Sequence, residues 1–256
     1  MATEVFPHPE KDQHLLTDKN ILAKEIKIAE LSKQDKVIEI GAGTGILTEK
    51  LAQCVKKLII FEIDEQFKEN LNTLKKSYNN IIILYKNALD SSWKGYDKIV
   101  SNIPYTLSEP IILKAIKEGI PFLVLIVSEG FKDVLMDRGT KLGFTAQIFY
   151  NIKVFDKVGK SCFSPSPSVN SFLIKLEKKE IQETDNVSRI LASFVLKKGK
   201  IKNSLIFSLV EQGRTKNQAR EILEKLNLPE KILDKPVEKA TGKFLQNLEE
   251  GLKNML

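Results

Sequence analysis

The sequence predicts an α/β protein in which a mainly parallel sheet, covered by helices on both faces, is followed by a small all-helical C-terminal domain. Three observations carry this expectation. Short apolar runs alternate with helix-period segments between Val37 and Val127, the strand signal stops near Lys179, and beyond it the apolar residues recur with helical spacing.

The elements follow in order. Ile21, Leu22, Ile26, Ala29 and Leu31 recur near a 3.6-residue period and predict a helix over 21–31. Val37-Ile38-Glu39-Ile40 reads as a buried strand and 45–54 as a helix; a second strand over 58–63 precedes a helix from 65 to about 76. Apolar runs at 81–85, 98–101 and 122–127 give three more strands, the last two separated by a helix over 107–118. Such alternation suits parallel strands buried on both faces. Over 146–154 and 169–176 the pattern is strand-like with no clear helix between, which predicts an antiparallel pair at the sheet edge. Segments 187–196, 204–210 and 218–226 are helical in period, with Thr215 and Pro229 at helix starts and Gly213 at a helix end. The domains are therefore expected at 1–179 and 180–256.

Composition narrows the class. Hydrophobic residues make up 42% of the chain and charged residues 29%, as in a soluble globular protein. No run of about eighteen apolar residues is present, so a membrane span is not expected. Residues 1–13 carry Pro7, Pro9 and mixed charges without an apolar core, unlike a secretion signal. Cys54 and Cys162 alone build neither a disulfide framework nor a zinc cluster, so no metal is expected, and a reducing cytoplasm suits the chain. The net charge of +7 favours a polyanionic partner, because Lys and Arg displace counterions from phosphates, although a lysine-rich proteome gives the same balance. With no heptad pattern and no long apolar edge, a monomer is the expected state.

The chemistry rests on two motifs. Glu39-Ile40-Gly41-Ala42-Gly43-Thr44-Gly45 follows a strand and opens a helix, and its glycines permit close backbone approach to a ligand. Glu62, at the end of the next strand, stands where an acidic residue accepts ribose hydroxyls. The Gly-x-Gly-x-Gly spacing differs from the dinucleotide pattern. Its leading Glu39 suits the cationic methionine part of S-adenosylmethionine better than a pyrophosphate. Asn87-Ala88-Leu89-Asp90, after the third strand, offers an amide to a base edge.

Asn102-Ile103-Pro104-Tyr105 follows the fourth strand, at the carboxyl edge of the sheet where α/β sites form. The residue types fit an exocyclic amine on a flat ring. The N6 lone pair of adenine is delocalised and nucleophilically poor. The Asn102 oxygen and a main-chain carbonyl, that of Ile103, can accept both N6 hydrogens and draw the nitrogen towards tetrahedral geometry. Pro104 fixes the backbone, and Tyr105 offers a stacking face to a base that is unpaired or flipped out. Loop and tetrapeptide together point to methyl transfer from S-adenosylmethionine to adenine N6.

With these motifs in place, the sequence resembles the ribosomal RNA adenine N6,N6-dimethyltransferases, which share a fold with the erythromycin-resistance RNA methyltransferases. The resemblance spans nearly the whole chain. Gln13-His14-Leu15-Leu16-Thr17-Asp18 looks like the family's segment that closes over the cofactor, and Phe163-Ser164-Pro165-Ser166-Pro167-Ser168-Val169 like its Phe-x-Pro-x-Pro-x-Val stretch, whose aromatic lies near the target base. Lys197 to Leu205 resembles the basic helix start of the family's C-terminal domain.

The resemblance implies a Rossmann-like S-adenosylmethionine-dependent methyltransferase sheet. Cofactor contacts would come from Gln13, His14 and Leu16 in the closing segment and from Gly41, Gly43 and Gly45 in the loop. Glu62, Ile63, Asn87, Ala88 and Asn102 would complete them. Asn102, Ile103, Pro104 and Tyr105 would carry catalysis, Tyr105 and Phe163 would stack the base, and Lys197, Lys198, Lys200 and Lys202 would track RNA phosphates. The implied partner is small-subunit ribosomal RNA or a pre-small-subunit particle, modified at two neighbouring adenines near its end. Rival readings are a large-subunit methyltransferase of the macrolide-resistance type, a non-catalytic ribosome-assembly or transcription factor retaining the fold, and, more distantly, an NAD-dependent dehydrogenase. The chain departs from the family at Asn87, usually Asp, and at Leu15, usually Phe. It departs again in Ser128-Glu129-Gly130 and Lys141-Leu142-Gly143-Phe144-Thr145.

Overall fold

The computed structural model describes residues 7–180 and 185–256. The expectation for the N-terminal segment therefore lies in part, at residues 1–6, outside the described residues. In chain order, strand β1 (Leu15–Leu16) and helix α1 (Lys19–Ile28) come first. Then follow β2 (Lys36–Ile40), α2 (Ile46–Cys54), β3 (Lys57–Phe61), α3 (Lys68–Ser77), β4 (Ile81–Leu84), β5 (Lys98–Ser101), α4 (Ser108–Glu118) and β6 (Phe122–Ser128). Helices α5 (Glu129–Met136) and α6 (Lys141–Phe149) precede β7 (Tyr150–Val158), β8 (Phe163–Ser164) and β9 (Ser171–Lys178). The chain continues as α7 (Asn186–Val195), α8 (Ile201–Glu211), α9 (Lys216–Lys225), α10 (Glu230–Leu233) and α11 (Gly242–Lys253).

The described residues divide into two compact units, one within Met1–Lys132 and Ile152–Lys178, the other within Asp133–Asn151 and Lys179–Leu256. The division does not coincide with a single cut at 179/180: the second unit also takes in Asp133–Asn151, from the later half of α5 through α6. The expected strand over 146–154 is corrected by α6 and β7. Thr140 caps a helix through its side chain, which accepts the Gly143 N–H, so Phe144, Ala146 and Ile148 are buried on α6, and the two-residue alternation begins only at Tyr150. Gly143 has no room for a side chain; a Cβ there would stand 2.1 Å from the Asp137 carbonyl oxygen.

In the first unit the sheet order is β4-β3-β2-β5-β6-β9-β7, with β4 to β6 parallel and β9 antiparallel to β6. Every residue of β6 from Phe122 to Val127 is buried, as expected for a central strand with both faces covered. The chain steps outward from β2 to β4, then returns to place β5 on the other side of β2. The carboxyl ends of β2 and β5 therefore lie side by side at the switch point where α/β folds bind ligands. Ser101, fully buried at the end of β5, fastens them: its Oγ donates to the Ile40 carbonyl at 2.6 Å and accepts the Ile40 N–H at 3.1 Å. Gly41 and Asn102 are the next residues of the two strands.

The second unit has its own core, built from Phe144, Ile190, Phe194, Leu205, Leu209 and Leu245 among others. Thr215 forms a reciprocal capping box with Gln218 at the start of α9, and Gly213 (φ +89°) follows the end of α8. No helix among the described residues is long and apolar enough to cross a membrane.

Candidate active site

A cavity of about 610 Å³ opens at the carboxyl edge of the parallel strands. Gly41 and Gly43 form its floor with φ of +75° and +53°, values a Cβ resists. A Cβ on Gly43 would approach Leu15 Cδ2 to 2.8 Å, and one on Gly41 would meet Pro104 Cδ at 3.4 Å. The loop is therefore a cradle pressed between the N-terminal segment and the Asn-Ile-Pro-Tyr turn. Gly45 has a different task. It caps α2 with φ +87° and faces Leu74, which a Cβ would meet at 2.3 Å, and it does not line the cavity. Leu16 also stands off the large cavity, lining a crevice of about 40 Å³ beside it. Gly45 therefore packs behind the loop and Leu16 beside the N-terminal segment, whereas Gly41, Gly43, Gln13 and His14 line the cavity wall.

Glu62 lies just past β3, and its carboxylate organises the turn. Oε2 accepts the Gly43 N–H at 2.9 Å; Oε1 accepts those of Ile63 and Asp64 at 2.8 and 2.9 Å. Burial raises its pKa, partly offset by these N–H groups. Ile63 beside it is 72% exposed and lines the cavity, an apolar surface left for a flat ring. Asn87 spends its side-chain oxygen on the Leu89 N–H at 2.9 Å, so its NH2 is the group left for a base edge. Buried Trp93 secures this turn by donating to the Ala88 carbonyl at 3.1 Å.

The N-terminal segment is strapped over the cavity. Asp12 accepts the Thr106 N–H at 2.9 Å, and Gln13 donates to Asp64 at 2.9 Å. The His14 Nδ1 pairs with the Pro165 carbonyl at 2.9 Å, and β1 pairs antiparallel with β8, Leu16 opposite Phe163. Tyr105 is held by a 2.5 Å hydrogen bond between its hydroxyl and that of Ser171, and its ring stacks on His14 with centroids 6.0 Å apart. Sequence reasoning missed Asp12, Asp64 and Ser171, whose roles depend on contacts dozens of residues away, and Lys86, which lines the cavity. Phe163 is buried yet lines the same cavity as Tyr105. Among the described residues no group of three or more His, Cys, Asp and Glu is placed to hold a metal ion.

Asn102 separates the cavity from the small crevice, and its Oδ1 is buried without a hydrogen-bond partner. An unmet buried acceptor is unfavourable until a donor reaches it. An exocyclic amine is such a donor. Glu39 faces the crevice rather than the large cavity, accepting from Thr48 Oγ1 at 2.6 Å. In the second unit, Lys197 pairs with Glu211 at 3.0 Å and Lys200 with Asp234 at 2.7 Å, whereas Lys198 and Lys202 are exposed without an ion pair among the described residues.

The switch-point cavity, glycine cradle, acidic turn and unmet Asn102 acceptor define a Rossmann-like S-adenosylmethionine-dependent methyltransferase. The ribosomal RNA adenine dimethylase family profile matches residues 8–239. The chain belongs to that family. It is 34% identical over 252 residues to a probable ribosomal RNA small subunit methyltransferase A of Methanococcus maripaludis, covering 92% of this chain and 95% of the relative. It is 32% identical over 228 residues to the ribosomal RNA small subunit methyltransferase A of Leuconostoc mesenteroides, with 80% and 77% covered. The crystal structure of a dimethyladenosine transferase from Plasmodium falciparum superposes with a TM-score of 0.65 at 26% identity, covering 94% of this chain and 98% of that one. That of the 23S rRNA methyltransferase ErmE has the same fold, with a TM-score of 0.64 at 19% identity and 93% and 99% coverage.

Proposed function

We propose that this chain transfers methyl groups from S-adenosylmethionine to the N6 nitrogens of two neighbouring adenines near the end of small-subunit ribosomal RNA, two methyls to each. The observation that carries the chemistry is the buried, unpartnered Asn102 Oδ1 beside Tyr105. The small-subunit names of the relatives support the substrate over the macrolide-resistance reading.

The residues present fit the cofactor. Gly41 and Gly43 would let it approach the backbone, Glu62 would receive ribose hydroxyls, and Ile63 and Asn87 would meet its base. When bound, it supplies a sulfonium-activated methyl group. The protein does the rest. Asn102 Oδ1 and the Ile103 carbonyl accept the N6 hydrogens, which localises the lone pair on nitrogen; Tyr105 and Phe163 hold the ring plane. Attack by the nitrogen would form the N–C bond as the methyl's S–C bond breaks, the bonding pair staying on sulfur so that S-adenosylhomocysteine leaves as a neutral thioether. The methylated nitrogen, now acidic, would release its proton to water. In the second round one N6 hydrogen remains for Asn102.

Lys198 and Lys202 extend the RNA contact from the helical unit. The test is transfer of labelled methyl to unmodified small-subunit particles beside large-subunit RNA, with mass spectrometry of the nucleosides. Dimethyladenosine in the small-subunit sample is the expected result. Label only in large-subunit RNA would overturn the substrate, and no label in either would overturn the activity.

A further inference from the structure

Helix α1 carries an anomaly. Glu25 lies on its buried face with Ile21 and Leu22, is 0% exposed, and neither carboxyl oxygen has a hydrogen-bond partner. Burying a carboxyl without a partner is costly, and a helix facing a core needs no acid there. Its polar neighbour is Asn102, whose amide reaches the carboxyl closely enough to favour the ionised form without completing a hydrogen bond. Two buried groups with unmet bonding capacity thus face each other beneath the catalytic turn.

The chemistry of a primary amide gives this contact a consequence. An Asn side chain has two nearly isosteric ends, and a flip exchanges the acceptor for a donor. Only the oxygen end can accept an N6 hydrogen; the NH2 end repels the amine. Something must select the flip. No other side chain does so: the Asn102 oxygen has no hydrogen-bond partner, and the polar group its amide reaches is the Glu25 carboxyl. An acceptor behind the amide would hold the NH2 inward and leave the oxygen for substrate.

We propose that Glu25 is the positioning residue for Asn102, its carboxyl oxygen holding the Asn102 NH2 so that Oδ1 is presented to the substrate amine. The proposal rests on the adenine N6 reading above. The other groups around this site are Glu39 on β2, tied to Thr48 of α2, His14 on the crevice wall, and Glu62, which acts on Glu39. Burial pushes the Glu25 carboxyl up to about 8, so at neutral pH it carries an acceptor oxygen without placing a full charge beside Glu39.

The test pairs kinetics with a measurement that needs no turnover. Glu25→Leu should lower kcat by roughly tenfold to a hundredfold, the scale of a misplaced catalytic group, with KM for S-adenosylmethionine unchanged and no loss of thermal stability. Glu25→Gln, which keeps an acceptor oxygen, should restore most of kcat. In protein labelled at asparagine nitrogen, the Asn102 NH2 resonances should titrate near pH 8 in the wild type and not in Glu25→Gln. Wild-type kcat in Glu25→Leu, or Asn102 resonances that ignore Glu25, would overturn the proposal. Resonances that titrate with Glu25 in a protein that transfers no methyl would keep the contact and sink the proposed function.

Discussion

Ser101 grips Ile40 twice, donating to its carbonyl and accepting its N–H through one hydroxyl. The pair spans β5 and β2 at the last residue of each strand, so one side chain sets the separation of Gly41 and Asn102. A cradle for the methyl donor and a clamp for the acceptor are thereby fixed to a common point. Ser101→Ala leaves a buried N–H and C=O one partner short. The expected loss is about 1–3 kcal/mol of stability, read by chemical denaturation, with a fall in methyl transfer larger than any change in cofactor binding.

Asn102→Ala removes the acceptor and leaves the cradle. Cofactor affinity by calorimetry and RNA affinity should stay near wild type while methyl transfer drops below detection. Retained activity would mean that the amine is held elsewhere. This variant also discriminates against a non-catalytic factor, for which Asn102 has no task.

The glycine loop offers a paired test. Gly43→Ala must push its Cβ against Leu15 Cδ2, 2.8 Å away, at a φ of +53°, so S-adenosylmethionine binding should weaken. Gly45→Ala drives its Cβ into Leu74 at 2.3 Å, well away from the cavity. It should lower the melting temperature, and the cofactor Kd of the folded protein should hardly move. Equal effects of the two on Kd would show that the loop acts as one unit.

How much of this was legible beforehand follows from the range of the interactions. Val37 to Ile40 and Phe122 to Val127 announced themselves as strands because burial on both faces needs continuous apolar runs. The motif residues were readable because close approach to a ligand demands glycine and a planar clamp demands Asn and Pro. Helix α6 was misread because Phe144, Ala146, Ile148 and Tyr150 also alternate with a period of two, and only the Thr140 cap decides for a helix. Helix α11, with Leu245, Leu248 and Leu252 on its buried face, follows a stretch whose turns dilute the helical signal. Ser171 beside Tyr105 and Glu25 beside Asn102 were invisible, because only the fold brings β9 and α1 to the turn that carries them.

Glu25 also ties stability to pH. Its folded-state pKa is raised to about 8 from 4.5, so below pH 4.5 the carboxyl is protonated whether the chain is folded or not. As pH rises towards 8 the unfolded chain ionises and the folded one does not, so stability falls. Glu25→Gln removes this linkage. Its stability advantage over wild type should be small near pH 4.5 and grow to a few kcal/mol, in order of magnitude, by pH 8, as read from denaturant midpoints across that range. A pH-independent difference would place the Glu25 titration elsewhere.

The lysines of the helical unit separate by their partners. Lys197 and Lys200 are already neutralised by Glu211 and Asp234, whereas Lys198 and Lys202 project without ion pairs among the described residues. A phosphate must compete with a directly paired carboxylate for the first two; Lys198 has no such pair, and Lys202 lies near Asp234 without pairing to it. Each free cation on RNA releases about one counterion, so replacing both Lys198 and Lys202 by Gln should reduce the slope of log affinity against log salt by about 1.5–2. The same double change at Lys197 and Lys200 should reduce it by less, because Glu211 and Asp234 already discount those charges. RNA binding titrated at several salt concentrations measures both slopes. Equal losses from the two pairs would show that RNA displaces the carboxylates, and no loss from either would move the RNA track off this face.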